Sequence, residues 1–191
     1  MMGARILVVC TANVCRSPMG QALLQRELLA VGRDDIVTSA GTTGANLPAD
    51  PVAMAALDAL GAPLVGHTPR RATREILNTD GADIILAMTR QHVRELVAVN
   101  PSVWKRTFTL REAVRRAALR AADWYEPIQY PSLADWLVDI AADRHPSDLM
   151  GSDPIDDVDD PNGRGRGHVD RAAADIADLA AQFARAIPRI G

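Results

Sequence analysis

The sequence predicts a doubly wound α/β fold, a four-stranded parallel sheet with helices on both faces. Three observations carry that expectation. Four short strand-like segments, the apolar run Ile6 to Val9, then Ile36 to Ala40, Asp83 to Met88 and Arg106 to Leu110, are separated by segments of helical periodicity. The first run passes through a tight loop straight into a helix start, which makes it the opening of a βαβ unit with a right-handed crossover. The chain's 191 residues, 48% of them hydrophobic, suffice for one domain with a real core. A single domain spanning 1–191 is therefore expected.

In chain order, Ser17 and Pro18 suit an N-cap and a first helical position, so a helix is expected from Ser17 to Gly32. Leu24, Leu28 and Val31 share one face of it, and Gly32 suits the left-handed position after its end. Beyond the second strand, Asp50 caps a helix to Leu60 with Pro51 at its first position, and Gly61, Pro63 and Gly66 form the next loop. Ile84, Ile85 and Leu86 mark the third strand. Thr89 caps a helix towards Val99, which Asn100-Pro101 ends. After the fourth strand, residues 111–152 read as a helical insertion, with helices over Arg111 to Ala122 and Leu133 to Asp143. Arg111, Arg115, Arg116 and Arg120 cluster on one face there, a face expected to be solvated or paired with acids. Trp104, Trp124, Tyr125, Tyr130 and Trp136 are five of the seven aromatic residues in the chain. Core packing is the default expectation for them, and a substrate wall or partner surface the sharper one. Asp153 to Gly167 is a polar loop, its other acids expected to be solvated. Val169 to Ile187 closes the chain as a helix that buries Ile176, Leu179, Phe183 and Ile187 and stops at Pro188.

Composition removes several classes of function. A net charge of −3 argues against a general nucleic-acid binder. No apolar run approaches the roughly 18–20 residues of a membrane span, and the early apolar run is too short for a secretory signal. Cys10 and Cys15 are the only cysteines, so there is no disulfide framework, and a reducing cytoplasm is the expected setting. No cluster of His, Cys, Asp or Glu has metal-ligand spacing, so neither a metal nor a cofactor is expected.

The chemistry concentrates between Val8 and Met19, in Val-Val-Cys-Thr-Ala-Asn-Val-Cys-Arg-Ser-Pro-Met. Successive backbone N–H groups in a loop that feeds a helix make a nest for an oxyanion, and the helix dipole favours negative charge there. The same field favours the anionic form of a cysteine that faces the nest. Arg16 adds a fixed cation whose planar fork matches two phosphate oxygens. A thiolate beneath a bound phosphate is placed for in-line attack, with the N–H groups and the guanidinium stabilising the equatorial oxygens. A Walker-type loop is excluded, because no Gly-Lys-Ser/Thr follows.

This Cys-x5-Arg-Ser-Pro pattern at the end of the first strand resembles the low-molecular-weight protein tyrosine phosphatase family, with Cys10, Asn13, Cys15, Arg16, Ser17 and Pro18 in the motif's positions. The resemblance implies Cys10 as nucleophile and Arg16 as clamp, with Thr11, Ala12, Asn13, Val14, Cys15, Arg16 and Ser17 around the phosphate. Asn13 and Ser17 would also support the loop. Ser39, in Ser39-Ala40-Gly41-Thr42, matches the family's buttressing serine. His67, in His67-Thr68-Pro69, matches a histidine that bonds the loop asparagine. The Asp-Val-x-Asp-Pro register at Asp157 to Pro161 resembles the general-acid loop, which makes Asp160 the acid. Asp153-Pro154 is a second Asp-Pro and the less favoured choice. The resemblance also implies that Cys15 can form a protective disulfide with an oxidised Cys10; the alternative is a small buried packing residue.

The expected function is hydrolysis of a phosphomonoester through a phosphocysteine, on a phosphorylated protein or a small aryl phosphate. The resemblance implies phosphotyrosine. Two departures bear on that choice: family aromatics are replaced here by Gly44-Ala45-Asn46 and by Asn162. The alternatives are a protein-arginine phosphatase, a branch that usually has Thr where this chain has Val14, and a phosphate-binding module without turnover. An arsenate-reducing role is discounted, since no further cysteines follow.

Overall fold

The computed structural model describes residues 3–44, 47–78, 81–122, 129–150 and 154–188. Its centre is a four-stranded sheet in the order β2-β1-β3-β4, with β1 at Arg5–Cys10, β2 at Ile36–Gly41, β3 at Ile84–Ala87 and β4 at Thr107–Thr109. All three pairings are parallel, and Val8 lies between Ser39 on one side and Leu86 on the other. Parallel strands covered on both faces need no polar alternation, which is why β1 and β3 read as unbroken apolar runs.

Strand periodicity divides the interior into two cores. Ile6, Val8 and Cys10 face one, with Ile84, Leu86 and Phe108; Leu7 and Val9 face the other, with Ile85 and Ala87. The larger core is covered by α1 (Arg16–Ala30), α2 (Pro51–Ala59), α5 (Leu110–Ala122), α6 (Leu133–Ile140) and α7 (Arg166–Ala186). The smaller one is covered by the short α3 (Arg74–Leu77) and by α4 (Arg90–Val99). Helix α7 lies along α1 and buries Ile176, Leu179 and Phe183, with Ile187 beyond its end.

The helix ends follow local chemistry, with one departure. Asp50 accepts from the Val52 N–H, and Thr89 from the His92 N–H, as their cap assignments require. Gly32 has φ +76°, and the bonds Arg33 N–H to Leu28 O and Gly32 N–H to Leu29 O make the paired closure that ends α1. Helix α1, however, starts at Arg16, so Ser17 is inside its first turn rather than its cap. Its hydroxyl is drawn away by neighbours of the preceding loop.

The described part of segment 111–152 shares the main core. Ala113, Val114, Ala117, Trp136, Leu137 and Ile140 pack in the same cluster as β1 and α7. Trp136 meets Phe183 edge-on, with ring centroids 6.1 Å apart. Buried Arg144 bonds Glu112 of α5 at 2.6 Å and lies over the rings of Trp104 and Phe108. Trp104 and Trp136 are thus packing residues rather than a substrate wall, while Tyr130 donates to Asp139. Trp124 and Tyr125 lie outside the described residues. The arginine face is paired with acids: Arg111 with Asp175, Arg115 with Asp156, Arg116 with Glu112 and Arg120 with Asp143.

Candidate active site

The segment from Cys10 to Ser17 joins the C-terminal end of β1 to α1, at the edge where ligands of such sheets bind. Its carbonyls are held on the outside. Those of Cys10 and Thr11 accept from the N–H groups of Thr42 and Thr43, and that of Val14 from the Asp50 N–H. His67 Nε2 donates to the Asn13 carbonyl at 2.9 Å. Carbonyls turned outward leave the intervening N–H groups facing the concave side, next to the positive end of α1.

Asn13 makes the turn possible. At φ +60° it is the one non-glycine residue in the left-handed region among the described residues, a conformation that asparagine tolerates better than most. It is completely buried, and every polar atom of its amide is used. Nδ2 donates to Ser17 Oγ and Ser39 Oγ, both at 2.9 Å, and Oδ1 accepts from the Arg70 N–H at 3.0 Å. Ser39 in turn donates to Gln21 Oε1 at 2.6 Å. Gly41 allows β2 this close, because a Cβ there would sit 2.5 Å from the Thr11 carbonyl oxygen.

Cys10 lies at the base of the loop, with Ser17 Oγ 3.0 Å from its sulfur. That hydroxyl accepts from Asn13 Nδ2 and donates to the Ala40 carbonyl at 3.2 Å, so the carbonyl and the sulfur compete for its single proton. Cys15 is buried beneath the loop. Burial first, then the Asp50 carboxylate and Cys10, pushes its thiol up to about 12, so it is protonated at neutral pH. Both cysteines are free.

Arg16 closes the site. Its guanidinium is almost wholly buried and donates through Nη1 to the Val158 carbonyl at 3.2 Å and through Nη2 to Asp160 Oδ2 at 2.5 Å. Asp160 is half-exposed and also accepts from the Asn162 N–H. A cavity of about 380 Å³ opens beside this pair, walled by Thr11, Thr89, His92 and Val158 as well as Arg16 and Asp160.

Residues 5–136 match the family model described as low molecular weight phosphotyrosine protein phosphatase. The chain belongs to that family. Over 103 residues it is 41% identical to the low molecular weight protein-tyrosine-phosphatase Etp of Escherichia coli K12, a match covering 53% of this chain and 66% of that relative, just under two thirds of its length. It is 36% identical over 110 residues to a protein-arginine-phosphatase of Bacillus subtilis, covering 57% of this chain and 71% of the relative. Among solved structures, the low molecular weight protein tyrosine phosphatase from T. tengcongensis superposes with a TM-score of 0.69 at 26% identity, covering 94% of this chain and 97% of that one.

The loop assembles Cys10, Thr11, Ala12, Asn13, Val14, Cys15, Arg16 and Ser17, with Ser39 and His67 bonded to Asn13. Asp160 lies outside the matched residues, and geometry alone brings it to Arg16. Its rival Asp153 lies outside the described residues, as do Ala45 and Asn46. The other acids of that loop are not all solvated. Asp156 pairs with Arg115, and Asp157 accepts from the Arg90 N–H at the start of α4. With the Val158 N–H bonded to the Met88 carbonyl, they moor the loop to the end of β3.

Sequence reasoning missed Gln21, Arg70 and His92. Gln21 and Arg70 act through partners distant in sequence and carry no local signal. His92 follows a Thr cap by three residues, so it reads as an ordinary first-turn residue of α4. It is buried between two threonine hydroxyls, Thr11 Oγ1 at Nε2 and Thr89 Oγ1 at Nδ1, each 2.9 Å away. Burial first, then the charge of Arg16, pushes it down to about 4, so it is neutral at physiological pH.

Proposed function

We propose that the chain is a cysteine-dependent protein phosphatase that hydrolyses phosphotyrosine in proteins and small aryl phosphates through a phosphocysteine. One observation carries the reading: a loop with its carbonyls bonded outward holds Cys10 at its base and Arg16 at its rim. The phosphate dianion would enter the nest and take Arg16 from Asp160 in a two-pronged contact. The Cys10 sulfur then attacks phosphorus while the bond to the leaving oxygen breaks, and the Asp160 carboxyl gives that oxygen its proton. In the second step the Asp160 carboxylate takes a proton from water, whose oxygen attacks phosphorus. The P–S bond breaks, releasing inorganic phosphate and restoring the thiolate and the carboxyl. The N–H groups and Arg16 stabilise the equatorial oxygens in both steps.

Val14 in the loop supports tyrosine over arginine as the carrier of the phosphate. Two free cysteines support a reducing cytoplasmic setting. Segment 111–152 we read as a structural addition, since its described aromatics pack into the core.

The test is turnover of an aryl phosphate and of matched phosphotyrosine and phosphoarginine peptides, with and without vanadate. Vanadate-sensitive turnover favouring phosphotyrosine is expected, and Cys10→Ser should abolish it while leaving the fold intact. Preference for phosphoarginine would transfer the reading to the arginine branch. Phosphate binding without turnover would make the protein a binding module, and activity in Cys10→Ser would require another nucleophile.

A further inference from the structure

We propose that His92 is a positioning residue that fixes the direction of the Thr11 hydroxyl, making that hydroxyl a side-chain hydrogen-bond donor to the phosphoryl group held by Arg16. The proposal rests on the phosphatase reading of the site and adds to it a donor that the backbone nest does not contain.

The argument is a count of protons along a short chain of groups. Thr89 Oγ1 accepts the His92 N–H as the cap of α4, and it stands 2.9 Å from His92 Nδ1. Thr11 Oγ1 stands 2.9 Å from His92 Nε2. A neutral imidazole has one donor and one acceptor nitrogen, so two arrangements satisfy both contacts. If Nδ1 carried the proton, Thr89 Oγ1 would accept twice and its own proton would need a new acceptor in a half-buried turn. If Nε2 carries it, Thr89 donates to Nδ1 and His92 donates to Thr11. The unclaimed proton then belongs to Thr11, which is exposed. The second arrangement leaves the only uncommitted proton where solvent or substrate can accept it.

The location of that proton gives it a use. Thr11 directly follows Cys10, and its side chain lines the cavity of about 380 Å³ that Arg16 and Asp160 also line. A hydroxyl held with its lone pair towards His92 directs its proton into the space where Arg16 would hold an oxyanion. A freely rotating hydroxyl would supply the same bond less often. The neutral state of His92, enforced by burial and by Arg16, keeps the arrangement in one sense throughout the neutral range.

The first test is the tautomer itself, read from the imidazole nitrogen-15 shifts of His92 in the whole protein at neutral pH. Protonated Nε2 and bare Nδ1 are expected, and the reverse would overturn the proposal. The second is a double-mutant cycle read by turnover of an aryl phosphate and by calorimetric affinity for inorganic phosphate. Thr11→Val should lower both by about tenfold, the loss of one bond to a charged group, and Thr11→Ser should keep them. His92→Leu should match Thr11→Val, and the double variant should be no worse than either. His92→Gln, which places an amide N–H near the reach of Nε2, should recover most of the loss. Unchanged behaviour in Thr11→Val, fully additive losses, or a Gln variant as poor as Leu would each overturn the proposal. The binding arm stands apart from catalysis: wild type that binds phosphate without turnover sinks the phosphatase reading and still decides the role of His92. Wild type that binds no phosphate sinks both.

Discussion

The Asp160 carboxylate rests on Arg16 at 2.5 Å, whereas its proposed chemistry requires a leaving oxygen as partner. On the proposed reading, substrate phosphate displaces it. Asp160→Asn is therefore expected to act in two directions, slowing hydrolysis of esters with poor leaving groups by about 10²-fold and binding inorganic phosphate or vanadate more tightly. Leaving-group dependence together with calorimetry checks both, and weaker oxyanion binding would contradict the displacement. His92 gives the second expectation at this scale. An unfolded histidine takes up its proton near pH ~6.5, whereas native His92, buried beside Arg16 with Glu95 and Asp160 opposing, does so only at about 4. Between those values the unfolded chain binds more protons, so stability falls as pH drops from about 6.5 to about 4, by up to about 3 kcal/mol. Urea unfolding across that window should show the slope, and His92→Gln should flatten it. Cys10, Asn13 and Arg16 were legible in the sequence because their chemistry is compressed into one loop. His92 was not, because what distinguishes it is a contact with Thr11, 81 residues away.

Among the elements, the strands were the most legible. Burial on both faces writes an unbroken apolar run in β1 and β3, and β1, β2, β3 and β4 all fall within a residue or two of the expected segments. Caps at Asp50 and Thr89 were equally plain. The start of α1 was misplaced because Ser17 looks like a cap in isolation. Its hydroxyl is instead claimed by Asn13, Cys10 and Ala40, a tertiary demand no local rule can see. The acid loop was legible in its Asp-Pro signature but not in its moorings, since Asp156 and Asp157 look like solvated carboxylates until Arg115 and Arg90 are brought beside them. The tight approach of β2 to the phosphate loop supplies the prediction at this scale. Gly41→Ala would place a methyl 2.5 Å from the Thr11 carbonyl oxygen, against backbone that cannot rotate aside. Phosphate affinity and kcat/KM should fall by at least tenfold, accompanied by a stability loss of about 1–3 kcal/mol. A variant with unchanged kinetics would show that the loop moves more freely than its hydrogen bonds imply.

At the scale of the whole molecule, segment 111–152 holds a buried charge cluster of its own, and Arg144 ties it to the domain through the Trp104 carbonyl and the Trp104 and Phe108 rings. Glu112 on α5 receives Arg144 at 2.6 Å and Arg116 at 3.0 Å, with Arg144 enclosed between Trp104 and Phe108. Removing one partner leaves the other charge stranded in a dry place. Glu112→Gln should therefore cost about 3 kcal/mol or more, measured by denaturant unfolding, with kcat of the folded fraction unchanged. A fall in kcat at full folding would give the segment a part in the chemistry. The layered α/β plan was legible in the alternation of patterns, but the union of the last helices with the main core was not, because Trp136 reads the same in a lid as in an interior. The moorings of the acid loop have one more consequence. Cys10 ends β1, while the loop that carries Asp160 hangs from the end of β3 through the Val158 N–H and the Met88 carbonyl. These strands are adjacent at the centre of the sheet, so the spacing of Cys10 and Asp160, the proposed nucleophile and acid, is tied to the ladder between them. On the proposed reading, one parallel ladder gauges both reacting groups.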